Sequence, residues 1–226
     1  MNILPVIVAG GAGQRLWPVS RQELPKPFIK VGEGTLLEQT LRRAQLLSDG
    51  CLLVTNKDHY FLAESMVEEL GMKDQVFFLL EPTGRNTGPA VAIATQYAME
   101  KYGSDTLLLI MPADQLIKDE DLFLEAVNDA VELARQNTIV VFGVDPVFPE
   151  TGFGYIEMMD SKSIRGRVKN FIEKPDKETA EEFLASGRYL WNAGMFCFVS
   201  ETMESEMLKL SPELWSATQK ASLEKE

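Results

Sequence analysis

The first thirty residues constrain this chain more than any other stretch. Ile3 to Ala9 is an apolar run that reads as a buried strand. It empties into Gly10-Gly11-Ala12-Gly13-Gln14-Arg15-Leu16, followed by Trp17-Pro18 and then Pro25-Lys26-Pro27-Phe28. A strand ending in glycines lets several backbone N–H groups converge on one anion with no side chain in the way. Arg15 and Lys26 add fixed positive charge. Two widespread loop patterns fit this stretch badly. A dinucleotide loop needs a third glycine where Leu16 stands, and here Pro18 follows. A triphosphatase loop needs Gly-Lys-Ser/Thr at its end, and no such tripeptide follows these glycines.

Charge narrows the ligand. The net charge is −12, which argues against nonspecific binding to nucleic acid or to an anionic membrane. Residues 1–32 run the other way, with Arg15, Arg21, Lys26 and Lys30 against Glu23 alone, so this segment is +3 in a remainder of −15. A basic island in an acidic chain suits a small anion better than a polyanion. Apolar residues make up 45% of the 226, enough for a substantial core. Cys51 and Cys197 both lie in apolar, strand-like contexts, the setting of buried thiols. With one histidine and no Cys-x-x-Cys pair, a zinc site is not expected. The first residues carry no charged leader, and no apolar run reaches bilayer-spanning length. A reduced, cytoplasmic protein is expected.

Strand-like and helix-like segments alternate through about residue 144, which predicts an α/β fold: a mostly parallel, Rossmann-like central sheet flanked by helices. Thr35 with Glu38 predicts a capping box opening a helix with Leu36, Leu37, Thr40, Leu41, Ala44 and Leu47 on one face. Strands are expected over 51–55, 76–81, 106–111 and 138–144, and helices over 59–70, 90–102 and 121–136. From Gly143 to Gly154 the rhythm breaks into glycine- and proline-rich loop. Shorter strands follow over 155–159 and 168–173, then a helix over 177–186 and a strand over 193–199. Ser200 and Ser211-Pro212 read as caps of two final helices. The whole, 1–226, is read as a single domain with one half over 1–144 and another over 145–226.

Several segments combine chemistry with placement. Glu81-Pro82-Thr83-Gly84-Arg85-Asn86-Thr87-Gly88-Pro89 follows a strand and precedes a helix, the carboxyl edge where parallel sheets bind ligands. Its glycine, guanidinium, amide and hydroxyl groups can read a base edge or a ribose. Asp114, in Met111-Pro112-Ala113-Asp114, follows a nearly all-apolar strand at the same edge and can offer a carboxylate oxygen to Mg²⁺. Taken alone, such an aspartate is more often a turn or cap residue. Thr151-Gly152-Phe153-Gly154-Tyr155-Ile156, Phe171-Ile172-Glu173-Lys174-Pro175 and Trp191-Asn192-Ala193-Gly194-Met195-Phe196 complete the set. In isolation these read as a glycine turn, a charged strand end and a core strand, with Trp191 and Phe196 at least as suited to the core as to a site.

Taken together these motifs resemble the sugar-nucleotide pyrophosphorylases. The Gly-Gly-x-Gly-x-Arg-Leu…Pro-Lys-Pro pattern carries the likeness, and Leu16-Trp17-Pro18-Val19-Ser20-Arg21 and Glu81 to Thr87 resemble the mannose-1-phosphate guanylyltransferase branch. The likeness covers residues 1 to about 200, with six motifs in the family's order. It departs at Gly88, where the family usually has Ala, and at Gln115, where this branch usually has His. Members of the family generally run further, into a segment with a second metal-binding aspartate, and no such motif follows residue 200 here.

The resemblance implies transfer of GMP from GTP to mannose 1-phosphate, giving GDP-mannose and pyrophosphate. It implies catalytic roles for Arg15, Lys26 and Asp114, with Asp114 holding Mg²⁺. It places Gly10, Gly11, Gly13, Arg15, Glu81, Arg85, Asn86 and Thr87 on the nucleotide, and Gly154, Glu173, Lys174 and Asn192 on the sugar phosphate. No nucleic acid or membrane partner is expected, and a homodimer is compatible with the sequence. Two alternatives stand beside this reading: a catalytically weak nucleotide-sugar-binding regulatory protein, and a nucleotidyltransferase for another base or sugar.

Overall fold

The computed structural model describes residues 3–10, 24–81, 87–160 and 165–223. In chain order the elements are β1 (Leu4–Ala9), β2 (Lys30–Val31), β3 (Gly34–Thr35), α1 (Leu36–Gln45), β4 (Cys51–Asn56), α2 (Tyr60–Glu69), β5 (Val76–Glu81), α3 (Thr87–Tyr102), β6 (Leu107–Pro112) and α4 (Glu120–Ala134). Then come β7 (Val140–Val144), β8 (Gly154–Met158), β9 (Val168–Glu173), α5 (Lys177–Ser186), β10 (Tyr189–Val199), α6 (Ser200–Leu210) and α7 (Pro212–Leu223). No described helix is long and apolar enough to cross a membrane. The chain divides into two compact units, residues 1–140 with 196–226, and residues 141–195. Strand β10 runs across the division, its residues from Phe196 on belonging to the first unit.

In the first unit, β5, β4, β1 and β6 lie side by side in that order, all parallel. Phe196–Val199 of β10 adds an antiparallel neighbour to β6. Parallel strands buried on both faces need apolar residues at successive positions, which explains why Leu107 to Met111 are all at most 3% exposed. One face packs on α3 and α6: Val6, Leu52, Val54, Leu79, Leu108, Ile110 and Phe198 meet Ala90, Val91, Ala94, Ala98 and Met203. The small residues of α3 let this helix lie close to the sheet, and α6 and α7 pack against it in turn. Gln96 Nε2 donates to the Trp215 carbonyl at 2.9 Å, tying α3 to α7.

Local signals set most boundaries. Thr35 Oγ1 accepts from Glu38 N at 3.1 Å, the cap expected for α1. Asp119 and Asp176 cap α4 and α5 in the same way, each worth about 1 kcal/mol. Gly71 and Gly187, at φ 69° and 64°, take the left-handed turn that ends α2 and α5. Three expectations are corrected. Helix α3 starts at Thr87 rather than Ala90, so Pro89 lies in its first turn, where a missing N–H costs nothing. Ser200 is the first residue of α6 and not its cap; its N and Oγ both donate to the Thr106 carbonyl, at 2.9 Å each, and no side chain caps that helix. Strand β10 starts at Tyr189 rather than Ala193, because Tyr189, Leu190 and Trp191 pair with Glu157, Ile156 and Tyr155 of β8.

In the second unit the pairing is antiparallel, β10 with β8 and β8 with β9, and β7 also pairs with β10. Its core is aromatic. Tyr155, Ala180 and Trp191 are buried together, with Phe183 and Tyr189 packed on them and stacked at 3.9 Å. Phe148 and Phe153 meet the Trp191 ring edge-on at 4.9 and 5.4 Å. Trp191 is thus a core residue, as its neighbours in sequence suggest.

Candidate active site

The strand order of the first unit decides where a ligand goes. From β1 the chain moves to β4 and β5 on one side, then crosses to β6 on the other. The crevice between the carboxyl ends of β1 and β6 is therefore the topological switch point, where open α/β sheets bind ligands. Val8 pairs with Pro112 there, and Ala113 N donates to the Val8 carbonyl at 3.0 Å. Gly10 leaves β1 and Asp114 leaves β6 at this crevice.

Lys26 reaches the same place from a separate segment. It opens a single 3-10 turn, Lys26–Phe28, between Pro25 and Pro27. The two prolines fix φ on either side, and buried Pro27 and Phe28 anchor the turn. Lys26 Nζ donates to Asp114 Oδ2 at 2.7 Å, with the two side chains 33% and 39% exposed. The sequence offers no sign of this pair, whose members stand 88 residues apart.

Glu81 ends β5 and is 4% exposed. A Cβ on Gly10 would stand 3.0 Å from Glu81 Oε2, so the glycine lets this carboxylate come up against the β1 turn. Burial pushes the Glu81 carboxyl above the usual carboxylate range. Thr87, by contrast, is exposed at the first turn of α3. A Cβ at Gly88 would lie 3.7 Å from Leu214 Cδ2, an ordinary contact, so the Ala usual in the family would fit. Gly11, Gly13, Arg15, Arg85 and Asn86 lie outside the described residues.

The second unit brings together Gly154, Glu173 and Asn192. Gly154 pairs with Glu173 across β8 and β9. A Cβ on Gly154 would stand 2.9 Å from Glu173 Oε2 and 3.6 Å from Asn192 Cβ. Asn192 Oδ1 accepts from Gly194 N at 2.9 Å, with Gly194 at φ 67°, which leaves the amide N–H₂ as the function this side chain can offer a ligand. Lys174 is a left-handed residue at φ 47°; its N donates to the Phe153 carbonyl at 3.2 Å and its Nζ to Glu173 Oε1. Behind this cluster, Tyr155 Oη donates to the Glu150 carbonyl at 2.9 Å and Gly152 N to Glu150 Oε1 at 2.7 Å, which shapes the loop ahead of β8.

The donor set can be tested against Mg²⁺. Among the described residues no group of three or more histidine, cysteine or acidic side chains is placed to hold a metal. Mg²⁺ does not need one: it keeps several waters and takes one or two carboxylates plus substrate phosphates. Asp114, half-exposed at a phosphate-suited strand end, fits that role.

Known proteins extend this picture. The nucleotidyl transferase family model matches residues 4–226. The chain is 44% identical over 222 residues to the xanthan biosynthesis protein XanB of Xanthomonas campestris pv. campestris, and 40% identical over 225 residues to a mannose-1-phosphate guanylyltransferase of Klebsiella pneumoniae. Each alignment takes in 97% of this chain and 47% of the relative, so the chain spans about half the length of these proteins. Among solved structures, one described as mannose-1-phosphate geranyltransferase from Thermus thermophilus superposes with a TM-score of 0.86 at 34% identity, over 100% of this chain and 66% of that one. A switch-point crevice bearing glycine, lysine and aspartate, and a match across nearly the whole chain, place this protein in the nucleotidyl transferase family.

Proposed function

We propose that this chain transfers GMP from GTP to mannose 1-phosphate, forming GDP-mannose and pyrophosphate. The observation that carries the reading is the meeting of Gly10, Lys26 and Asp114 at the β1–β6 crevice with Glu81 close by Gly10. The names of the relatives support the choice of base and sugar. Net charge −12 argues against nucleic acid or an anionic membrane as partner, while the basic residues Arg15, Arg21, Lys26 and Lys30 within 1–32 suit a small anion.

In this reading an oxygen of the mannose 1-phosphate attacks the α-phosphorus of GTP in line. The bond from that phosphorus to the bridging oxygen of the β-phosphate breaks, and pyrophosphate leaves with the electron pair. No enzyme nucleophile is needed, so the chain works by positioning and by charge. The N–H groups of the loop from Gly10 through Gly13, with Arg15 and Lys26, hold the triphosphate. Glu81 accepts from the N1–H and N2–H₂ donors of guanine, a pair of donors that a carboxylate matches and that uracil and thymine lack. Arg85, Asn86 and Thr87 complete the nucleoside contacts. Mg²⁺, held by Asp114 and the phosphates, would supply neutralisation of charge at the transferring group. The sugar falls to the second unit: Glu173 accepts from two hydroxyls, Asn192 Nδ2 donates to another, Gly154 offers its backbone, and Lys174 holds the phosphate. The two cysteines, buried and unpaired, suit a reducing cytoplasm.

The test is pyrophosphorolysis of a nucleotide-sugar panel with Mg²⁺ and pyrophosphate. Release of GTP from GDP-mannose is expected. Release of UTP or dTTP from the corresponding sugars would move the base assignment away from Glu81. Tight GDP-mannose binding without turnover would favour the binding-protein reading.

A further inference from the structure

Lys26 and Asp114 are each assigned a ligand by the proposed function, yet the structure shows them holding one another, Nζ to Oδ2 at 2.7 Å. The ammonium keeps two further N–H donors and the carboxylate a second oxygen, so the ligands compete with this bond through charge rather than through valence. A metal held by Asp114 would meet the lysine ammonium on the same carboxylate as a like charge at close range. The lysine can leave without the backbone moving. Pro25, Pro27 and buried Phe28 fix the turn, while the side chain is a flexible four-carbon stem that is one-third exposed.

We propose that Lys26 is an internal counter-ion of Asp114, and that the pair exchanges partners when metal-loaded nucleotide enters: Asp114 passes to the metal and Lys26 to the triphosphate. The inference rests on the proposed placement of both residues at the triphosphate. Its consequence is selection. Metal-free nucleotide must break the pair and then face a bare carboxylate. Metal-loaded nucleotide supplies each partner with a replacement at once. The pair thus favours the reactive form of the substrate over the unreactive one before any chemistry takes place.

A double-mutant cycle tests the exchange. GTP binding is measured by calorimetry in EDTA for the full chain, Asp114→Asn, Lys26→Met and the double variant. Asp114→Asn removes repulsion in both backgrounds, but only where Lys26 is present does it also release a lysine for the phosphates. The gain in affinity from Asp114→Asn is therefore expected to be about threefold to fivefold larger with Lys26 than with Met at that position, the range for a partly exposed ion pair. Equal gains in the two backgrounds would leave both residues at the triphosphate and overturn the exchange alone. No change in GTP affinity for any variant would overturn the placement, and the exchange with it. Circular dichroism checks the fold of each protein, and Lys26→Gln repeats the cycle with a polar side chain.

Discussion

Lys174 stands at φ 47°, a left-handed conformation that costs a residue with a Cβ roughly 1–2 kcal/mol. Its side chain is half-exposed and its ion pair with Glu173 lies in solvent, so that pair contributes little to offset the strain. Two substitutions separate the backbone from the charge. Lys174→Ala removes the ammonium and keeps the strain. Lys174→Gly removes both, and either variant keeps the amide that donates to the Phe153 carbonyl. At an ordinary position glycine is about 0.5–1 kcal/mol less stable than alanine. At residue 174 the relief of strain exceeds this, which leaves glycine ahead by about 0.5–1 kcal/mol. For a chain of this size that is a rise in Tm of about 2 °C for Lys174→Gly over Lys174→Ala by scanning calorimetry. Both variants should raise the KM for mannose 1-phosphate by about 10-fold to 100-fold, since a hydrogen bond to a charged group contributes roughly 1.5–3 kcal/mol. A Lys174→Gly protein no more stable than Lys174→Ala would refute the claim that the backbone is strained to present this lysine. Two equally impaired variants of unequal stability would support it, as strain retained at a functional position.

Gly154→Ala puts a methyl 2.9 Å from Glu173 Oε2, the end of a flexible side chain. The fold should hold within about 1 kcal/mol, while displacement of Glu173 raises the KM for mannose 1-phosphate and leaves GTP affinity unchanged, read by steady-state kinetics and calorimetry. Glu81, with its pKa raised by burial, binds its proton more tightly folded than unfolded. Its contribution to stability is therefore greatest below the unfolded pKa and is lost as pH rises through the folded one. Urea titrations from about pH 4 to 7, conditions chosen around the ordinary carboxylate range, should show that slope for the wild type and a weaker one for Glu81→Gln. GTP affinity should run the other way, falling as Glu81 protonates. The thiols of Cys51 and Cys197, each pushed up to about 12 by burial, should resist a disulfide reagent at about pH 8 until denaturant exposes them both.

Strands of both units were readable in sequence as short runs bounded by turn residues. Val76 to Glu81 and Val168 to Glu173 match their expected limits residue for residue. The errors fall where a local signal competes with tertiary pairing. The helix expected from Ala90 begins at Thr87, because Pro89 is tolerated inside its first turn. Ser200 looked like a cap, but its hydroxyl is taken by the Thr106 carbonyl. The strand expected from Ala193 begins at Tyr189, because pairing with β8 extends it. For the candidate site, the sequence names candidate residues but not the couplings among them. Resemblance pointed to Lys26 and Asp114, and to Glu173 with Gly154 and Asn192. That a lysine lies on the aspartate, or that Gly154 is small so that Glu173 can fit, depends on three-dimensional proximity that one sequence does not encode locally.

Strand β10 ties the order of synthesis to the order of folding. Its last four residues, Phe196–Val199, pair with β6 in the first unit, and Phe198 and Met203 fill the core under α3. All of these leave the ribosome after the second unit. The parallel strands of the first unit can gather as soon as β6 has emerged, but their core stays open on that side until residues 141–195 have been made. A nascent chain halted before Phe196 would thus expose the Leu108–Ile110 edge to other chains. Its escape from aggregation depends on how fast translation crosses the smaller unit.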